Sequence, residues 1–177
     1  KAVAAVSAFS HYMRDLVRQR RKNLGDDLLS ELIKASDGAG KLSEDELVTT
    51  AILILNAGHE ATVHALGNAV KALLENSMRE GLTTNHVEEA LRFDAPLHMF
   101  TRYALEDLRY KDIHFKKGEV VGLMLGAANR DPARYPLPDQ FDPARDASGH
   151  TSFGAGIHFC VGAPLARLEM EVALQVL

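Results

Sequence analysis

Apolar residues recur at helical spacing through most of the first 93 residues. The first such run, over residues 2–21, predicts an amphipathic helix with basic residues near its negative end. Its apolar positions are Val3, Val6, Phe9, Met13, Leu16 and Val17. A second helix is predicted from a cap at Asp26 through Ile33, followed by a break at Gly38 and Gly40.

Two further helices are predicted before the pattern changes. Ser43 and Glu46 have the spacing of a capping box, and a long apolar run then extends from Glu44 to about Asn76. The length and apolar character of this third helix place it at the centre of the fold. After a polar segment, a fourth helix is predicted from Asn85 to about Phe93, because Pro96 disfavours helix just before it.

Beyond Pro96 the pattern shifts to short β-strands and then to irregular chain. Strands are predicted at Met99–Leu105, Leu108–Tyr110 and Glu119–Leu125, with a turn at Lys117–Gly118. Residues 129–149 are rich in Pro, Asp and Arg and show no periodicity. We expect them to form an ordered meander, since they lead into a cysteine-containing loop. The fold class predicted is mainly α with a small β region.

Composition sets bounds on the function without naming one. The chain has 177 residues, 46% of them hydrophobic, and a net charge of −4, which predicts one domain with an ordinary core. The negative charge argues against nucleic acid as a partner. No signal peptide and no apolar run of membrane-spanning length is apparent. With one cysteine and no internal disulfide, we expect a cytoplasmic protein that binds no membrane and is a monomer.

That single cysteine, Cys160, lies in a glycine-rich loop that runs from Phe153 to Gly162. A helix is predicted directly after it, opened by Pro164. A lone cysteine is more often a small buried apolar residue than a ligand. Glycines on both sides of a thiolate, however, leave room for a broad, flat group such as haem, whose iron would take the sulfur as axial ligand.

The complete pattern Phe-x-x-Gly-x-x-x-Cys-x-Gly resembles the haem-binding loop of cytochromes P450. The following Ala-Pro-Leu-Ala-Arg-Leu-Glu is similar to bacterial members of that family. The resemblance implies haem b as the cofactor, with iron bound by Cys160 and with Phe153 packed beside the sulfur. It also places Gly154 and Gly162 against the cofactor.

A second motif of the family is a Glu-x-x-Arg helix, which Glu89 and Arg92 match on the fourth predicted helix. Taken alone, an i, i+3 pair is usually a solvated surface bridge. The resemblance implies instead a buried network with Arg145, in the meander, as its third member. Such a network would hold the meander and the cysteine loop in place. The adjacent Glu88 is expected to be dispensable.

The third helix contains Ala57-Gly58-His59-Glu60-Ala61-Thr62. A mid-helix glycine usually marks close approach of another group, and a helix crossing is the alternative to a ligand. The resemblance implies the distal helix of a P450, with dioxygen against an opened turn near Ala57 and Gly58 and with Glu60 in the acid position. The family usually has threonine where this chain has Ala61, and Thr62 is turned by roughly 100° from that position. A substrate hydroxyl or an ordered water is expected to supply the missing group; the alternatives are an enzyme that leaks peroxide and one that is not an ordinary hydroxylase.

Further positions follow from the same resemblance. Arg102 and His158 match residues that donate to the haem propionates, for which a guanidinium fork is well suited. The segment from Ala95 to Phe100 is expected to reach the substrate pocket. Its apolar side chains suggest an apolar ligand.

The function implied is a haem-thiolate monooxygenase that inserts one oxygen atom from O2 into a small apolar substrate. Its electrons would come from a reductase through a ferredoxin- or flavodoxin-type donor, because the chain has no flavin or Fe–S motif. Two alternatives stay open. One is a peroxide-dependent peroxygenase or a haem-thiolate isomerase, which Ala61 leaves possible; the other is a haem-binding module without catalysis.

The resemblance covers residues 43–177 almost continuously, and residues 1–42 fit the two helices that precede the distal helix. A complete P450 is more than twice as long as this chain. The connection between Asn76 and Asn85 is also shorter than is usual in the family. The sequence therefore predicts the C-terminal half of a cytochrome P450, in the partial form of that fold: distal helix, Glu-x-x-Arg helix, meander and cysteine loop.

Overall fold

The computed structural model describes residues 1–39 and 42–176. Within these ranges the helices are α1 (Ala2–Lys22), α2 (Leu28–Ala39), α3 (Glu44–Glu75), α4 (Thr84–Phe93), α5 (Leu125–Ala128) and α6 (Ala163–Val176). The strands are β1 (Met99–Tyr103), β2 (Leu108–Tyr110), β3 (Ile113–Phe115) and β4 (Val120–Met124). In this part of the chain, no helix is long and apolar enough to cross a membrane. The mainly helical architecture with small sheets is the predicted one.

Tertiary contacts divide the chain into two units, residues 1–59 and residues from Glu60 onward, and α3 contributes to both. The first unit packs α1, α2 and the beginning of α3 around one core. Its buried residues are Met13, Val17, Ile33, Leu47, Val48 and Ala51. The predicted amphipathic face of α1 is therefore buried only over its second half. Val3 and Val6 are exposed, because no described residue covers them.

The helix starts of the first unit depend on capping side chains. Ser43 and Glu46 form the predicted capping box, with the Ser43 N–H donating to Glu46 Oε2 at 2.8 Å. The predicted cap at Asp26 is wrong by one residue, since Asp27 accepts the Ser30 N–H at 2.9 Å. α2 also continues past Ile33 and through Gly38, so no break occurs there. Gly40, the other predicted breaker, lies outside the described residues.

The second unit is built on the end of α3, α4 and α6. The buried residues of its core are Ala65, Ala69, Ala72, Leu73, Val87, Ala90, Leu91, Phe141, Met170 and Leu174. α4 begins one residue before the predicted Asn85 because Thr83 caps it: the Thr83 N–H donates to Nδ1 of His86 at 3.1 Å. This core fixes α4 and α6, and α6 directly follows the cysteine loop in the sequence.

The four strands form two separate antiparallel pairs. β1 pairs with β4 in the register Met99↔Met124 to Tyr103↔Val120, and β2 pairs with β3. The first predicted strand is shorter at its C-terminal end, because β1 ends before Ala104. The third loses one residue at each end, and Leu125 already opens α5. β3, the pairing partner of β2, was not among the predicted strands. The predicted turn is present, with Gly118 at φ +89°.

Residues 129–149 form the predicted irregular meander, which side-chain hydrogen bonds hold in place. Asn129 at its start is fully buried. Its Nδ2 donates to Oγ of Ser152 at 2.8 Å, and its Oδ1 accepts the N–H of Thr151 at 2.7 Å. Ser152 Oγ in turn donates to the Leu91 carbonyl at 2.6 Å. These bonds attach Thr151 and Ser152, which directly precede the cysteine loop, to α4.

Candidate functional site

The cysteine loop has a tightly specified backbone. The N–H of Cys160 donates to the Phe153 carbonyl at 2.9 Å, which closes the loop. Gly154 has φ +71°, and a Cβ there would lie 3.5 Å from the His158 carbonyl oxygen. The left-handed φ is a conformation that glycine adopts without penalty. A short 3₁₀ turn, Gly156–His158, follows, and Cys160 lies three residues before the first residue of α6.

The loop presents its thiol and several apolar side chains on the surface. Cys160 is exposed, and a Cβ at Gly162 would lie 3.8 Å from its sulfur, so Gly162 leaves open space beside it. Ile157 and Val161 are 97% and 94% exposed, and Phe159 is 52% exposed. Such a cluster of uncovered apolar side chains is characteristic of a surface that contacts a ligand or another part of a protein.

A cleft of about 370 Å³ opens against this loop, lined by Phe100, Arg102, Gly154 and His158. Strand β1 carries Phe100 and Arg102, while the loop carries the other two residues. The only side-chain hydrogen bond of Arg102 within the described chain is from Nη1 to the Thr101 carbonyl, at 2.9 Å. Its remaining guanidinium donors are available to an anionic ligand. The structure therefore brings the two predicted propionate donors to one cleft.

These residues fit a haem. A haem needs a soft axial ligand for iron, apolar contacts for its macrocycle and hydrogen-bond donors for its two carboxylates. Cys160 supplies the first, the exposed apolar residues of the loop supply the second, and Arg102 and His158 supply the third. The glycines leave the loop backbone uncovered. Phe153, the first residue of the loop, is half-buried.

The predicted distal segment of α3 is a regular helix. α3 runs unbroken from Glu44 to Glu75, so the opened turn implied by the resemblance is absent. No described atom lies within 4 Å of a Cβ placed on Gly58, so the expected close approach is absent as well. Ala57 and Gly58 are exposed and belong to the first unit.

The remaining residues of that segment belong to the second unit. Glu60 is exposed, with its carboxylate 3.8 Å from Nε2 of His64. Ala61 and Thr62 are half-buried. The carboxylate of Glu60 is thus solvated, as a group that exchanges protons with water must be.

Glu89 and Arg92 form a bidentate ion pair inside the second unit. Arg92 Nε lies 2.7 Å from Glu89 Oε2, and Arg92 Nη2 lies 2.8 Å from Glu89 Oε1. Both side chains are completely buried. Arg145 is the third member, with its Nε 3.5 Å from Glu89 Oε1. The structure therefore brings the three predicted network residues together.

The network clamps the meander through backbone carbonyl groups. Arg92 Nη1 donates to the carbonyls of Asn129 and Pro138, at 2.8 and 3.0 Å. Arg145 Nη2 donates to the carbonyl of Leu137 at 3.1 Å. Leu137 has φ +51°, a strained conformation for a bulky residue that persists only where its surroundings enforce it. Two buried guanidinium groups therefore supply the donors that the irregular chain needs.

A second cluster lies beside the first, and the sequence analysis did not find it. Glu88 was expected to be a dispensable neighbour, but its carboxylate accepts hydrogen bonds from Arg167 of α6 and lies 3.2 Å from His150 Nε2. Arg167 Nη2 lies 3.1 Å from Glu88 Oε2. The expectation failed because these partners are 62 and 79 residues away, beyond any local pattern. Glu88 is not a neutral control for Glu89.

The surroundings of Glu88 favour its ionised form. Partial burial works against ionisation, but hydrogen bonds and charge from His150 and Arg167 outweigh it and lower the pKa of Glu88 from 4.5 to about 2. A carboxyl group with a lowered folded-state pKa stabilises the fold above its unfolded pKa, and that contribution is lost as pH falls through the folded value.

We therefore expect acid to destabilise the wild-type protein more than a Glu88→Gln variant. The extra stability of the wild type should be constant above about pH 5 and should disappear between pH 4.5 and about 2. Its upper limit at neutral pH is roughly 3 kcal/mol. Urea unfolding at a series of pH values measures the difference between the two proteins. Equal pH dependence in both would show that Glu88 is not held in its ionised form.

Comparisons with known proteins add independent information. The family model described as Cytochrome P450 matches residues 81–177. Cytochrome P450 107B1 of Saccharopolyspora erythraea is 43% identical over 175 residues, which cover 94% of this chain and 43% of that protein. Vitamin D(3) 25-hydroxylase of Pseudonocardia autotrophica is 46% identical over 180 residues, which cover 97% of this chain and 45% of that protein.

A solved structure supports the same relationship. The tirandamycin C-bound P450 monooxygenase TamI superposes with a TM-score of 0.88 at 42% identity, over 98% of this chain and 46% of that one. The chain thus spans less than half the length of the relatives that it matches.

Proposed function

Because the chain belongs to the cytochrome P450 family, we propose that it is the C-terminal part of a haem-thiolate monooxygenase. Its reaction would insert one oxygen atom from O2 into a small apolar organic substrate. One observation carries the proposal: a single cleft is lined by a free guanidinium, a histidine and the glycine loop that presents Cys160. The relatives named hydroxylases and monooxygenases support the same class.

In this proposal each residue of the loop has a separate task. The Cys160 thiolate binds the iron, and Arg102 and His158 hold the two propionates, while Phe153 packs beside the sulfur. Gly154 and Gly162 keep the backbone clear of the macrocycle. When bound, a thiolate-ligated haem supplies the electron density that favours O–O bond cleavage. The chain's own contribution is to hold that group in place.

In the same proposal, residues of α3 manage protons and dioxygen. The solvated Glu60 carboxylate can exchange protons with water. Ala57 has only a methyl group as its side chain and Gly58 has none, which leaves room for a diatomic molecule beside the helix. Ala61 offers no hydroxyl at the usual threonine position, so a substrate hydroxyl or an ordered water would donate the proton there.

Restoring a hydroxyl at that position tests this part of the proposal. An Ala61→Thr variant is expected to couple NAD(P)H consumption to product formation as well as the wild type, or better, because it adds a donor that the site otherwise borrows. A Thr62→Val variant should leave coupling unchanged, because position 62 is turned by roughly 100° on the helix. Product and hydrogen peroxide formed per NAD(P)H consumed are the quantities to measure. Complete loss of turnover in Ala61→Thr would contradict the proposal.

The electron donor is proposed to be a ferredoxin or flavodoxin with its reductase. Each turnover needs two electrons, and the 177 residues of this chain carry no flavin or Fe–S motif that could supply them. We further propose a cytoplasmic monomer, because an exposed cysteine such as Cys160 stays reduced in that compartment.

The direct test is isotope incorporation by the full-length protein. It would be supplied with a surrogate ferredoxin, a reductase, NADPH and a panel of apolar compounds under ¹⁸O2. Incorporation of one labelled atom per product is expected for a monooxygenase. Product formed with hydrogen peroxide alone, and none with O2 and electrons, would instead favour the peroxygenase alternative.

A further inference from the structure

Three elements that are distant in sequence meet at the Phe153 ring. Arg167, on α6, places its guanidinium carbon 4.6 Å from the ring centroid. The imidazole ring of His150, at the end of the meander, lies 5.6 Å from the same ring between centroids. Glu88, on α4, pairs with both of these residues. The aromatic ring is therefore held by a cationic side chain and an imidazole that share one carboxylate.

The three side chains of this cluster are largely shielded from solvent, which strengthens the interactions between them. The side chains of His150, Glu88 and Arg167 are 2%, 20% and 32% exposed. A cation over an aromatic face contributes more as it loses water, and the paired carboxylate fixes where the guanidinium can lie. Removing the carboxylate would leave Arg167 free to turn toward solvent, since it is the most exposed of the three.

Phe153 connects this cluster to the cysteine. Its carbonyl accepts the Cys160 N–H at 2.9 Å, and its ring lies 6.3 Å from the ring of Phe159, the residue before Cys160. Any shift of Phe153 thus moves both the backbone and the side chain that set the position of the sulfur. The Glu89 network has no such contact with this ring; it acts on the meander carbonyls instead.

We infer that Arg167 is a positioning residue for the Cys160 thiolate, and that Glu88 and His150 hold Arg167 in place over Phe153. This inference rests on the proposed function, in which Cys160 binds iron. It assigns the second cluster a role at the cofactor and distinguishes it from the purely architectural clamp of Glu89 and Arg92.

The charge of Arg167 adds an electrostatic consequence. The hydrogen bond to Glu88 is the main reason that the pKa of Arg167 is raised, so this side chain stays cationic. Its guanidinium lies over the ring of Phe153, whose carbonyl accepts the Cys160 N–H, so the charge is close to the loop that carries the sulfur. Reduction of the iron adds one negative charge, which a nearby cation stabilises. Loss of that cation should lower the reduction potential.

The test uses the full-length haem protein and four variants: Arg167→Gln, Arg167→Lys, Glu88→Gln and, as a charge control on the exposed side of α6, Glu169→Gln. Arg167→Gln is expected to lower the reduction potential and to weaken haem retention about 10-fold, the low end for partners of a metal ligand. Arg167→Lys keeps the charge and should retain the potential, while losing the paired geometry and hence haem retention. Glu88→Gln should also weaken haem retention, and combining it with Arg167→Gln should add little, because the two act as a pair.

The outcomes separate this inference from the proposed function. A wild type without the red-shifted Soret band of a thiolate-ligated, CO-bound haem would defeat the proposed function itself. A wild type with that band, and an Arg167→Gln variant whose potential and haem retention match those of Glu169→Gln, would overturn the positioning role alone. If Arg167→Gln fails to fold, the comparison of Arg167→Lys with Glu88→Gln decides: equal haem retention to wild type in both would also overturn it.

Discussion

Replacing Cys160 with serine is expected to abolish monooxygenase turnover while leaving the polypeptide folded. The thiol is exposed, so the change disturbs no packed core. Surface substitutions usually alter the free energy of unfolding by no more than about 0.5 kcal/mol. A serine hydroxyl stays protonated at neutral pH and cannot donate electron density as a thiolate does. Turnover with O2 and the far-ultraviolet circular dichroism spectrum together measure the effect.

The matched control for this variant is a change in the same loop that keeps the thiol. Val161→Ala removes an exposed apolar side chain next to Cys160, since Val161 is 94% exposed. It should reduce contact with the cofactor without removing the ligand, and turnover should survive. Equal activity of Cys160→Ser and the wild type would show that the sulfur is not the axial ligand.

The second large effect is expected from Glu89→Gln. The substitution leaves the Arg92 guanidinium completely buried without its anionic partner. Breaking a buried pair in this way costs about 3–5 kcal/mol, a large part of the 5–15 kcal/mol that stabilises a typical protein. The meander should lose its clamp at the same time, because Arg92 and Arg145 also hold its carbonyl groups. Urea unfolding measures the free energy, and haem content measures the state of the loop.

Glu80→Gln is the appropriate control, because Glu80 is exposed and has no ion pair within the described residues. It should change the free energy of unfolding by no more than about 0.5 kcal/mol. Glu89→Gln and Glu80→Gln with the same stability would mean that the buried network contributes no net stabilisation. Haem content distinguishes a destabilised fold from a protein that is intact but has a displaced loop.

Three sets of contacts converge on the cysteine loop. Glu89, Arg92 and Arg145 fix the meander. Asn129 then ties the start of the meander to residues 151 and 152, and the Glu88 cluster fixes Phe153. The loop itself forms no long helix or strand, so its position depends on these side chains. Charged residues that are far from the thiol in the sequence should therefore affect the binding of a ligand at this loop.

Local patterns were sufficient for three of the helices and for the motif residues. The helical spacing in α1, α3 and α4 and the Ser43–Glu46 capping box predicted those helices to within one or two residues. The cysteine motif and the Glu-x-x-Arg spacing pointed to residues that the structure places on the loop and in a buried network. Such features depend on neighbours a few positions apart, which a sequence displays directly.

Long-range partners were beyond such reasoning. The cluster of Glu88, His150 and Arg167 joins three elements, and an adjacent acid on a helix gives no sign of which one has a distant partner. At Gly58 the sequence predicted a contact that the structure does not have. A mid-helix glycine suggested the close approach of another group, but no described atom lies within 4 Å of a Cβ placed there. The shift of the cap from Asp26 to Asp27 shows that two neighbouring carboxylates cannot be separated by pattern alone.

The measurement that tests the central claim most directly is the carbon monoxide difference spectrum of the reduced full-length protein, recorded beside Cys160→Ser. The account predicts a strongly red-shifted Soret band in the wild type that disappears in the variant. A band typical of histidine-ligated haem, an unchanged band in Cys160→Ser, or no haem at all would contradict thiolate ligation by Cys160 and with it the proposed function.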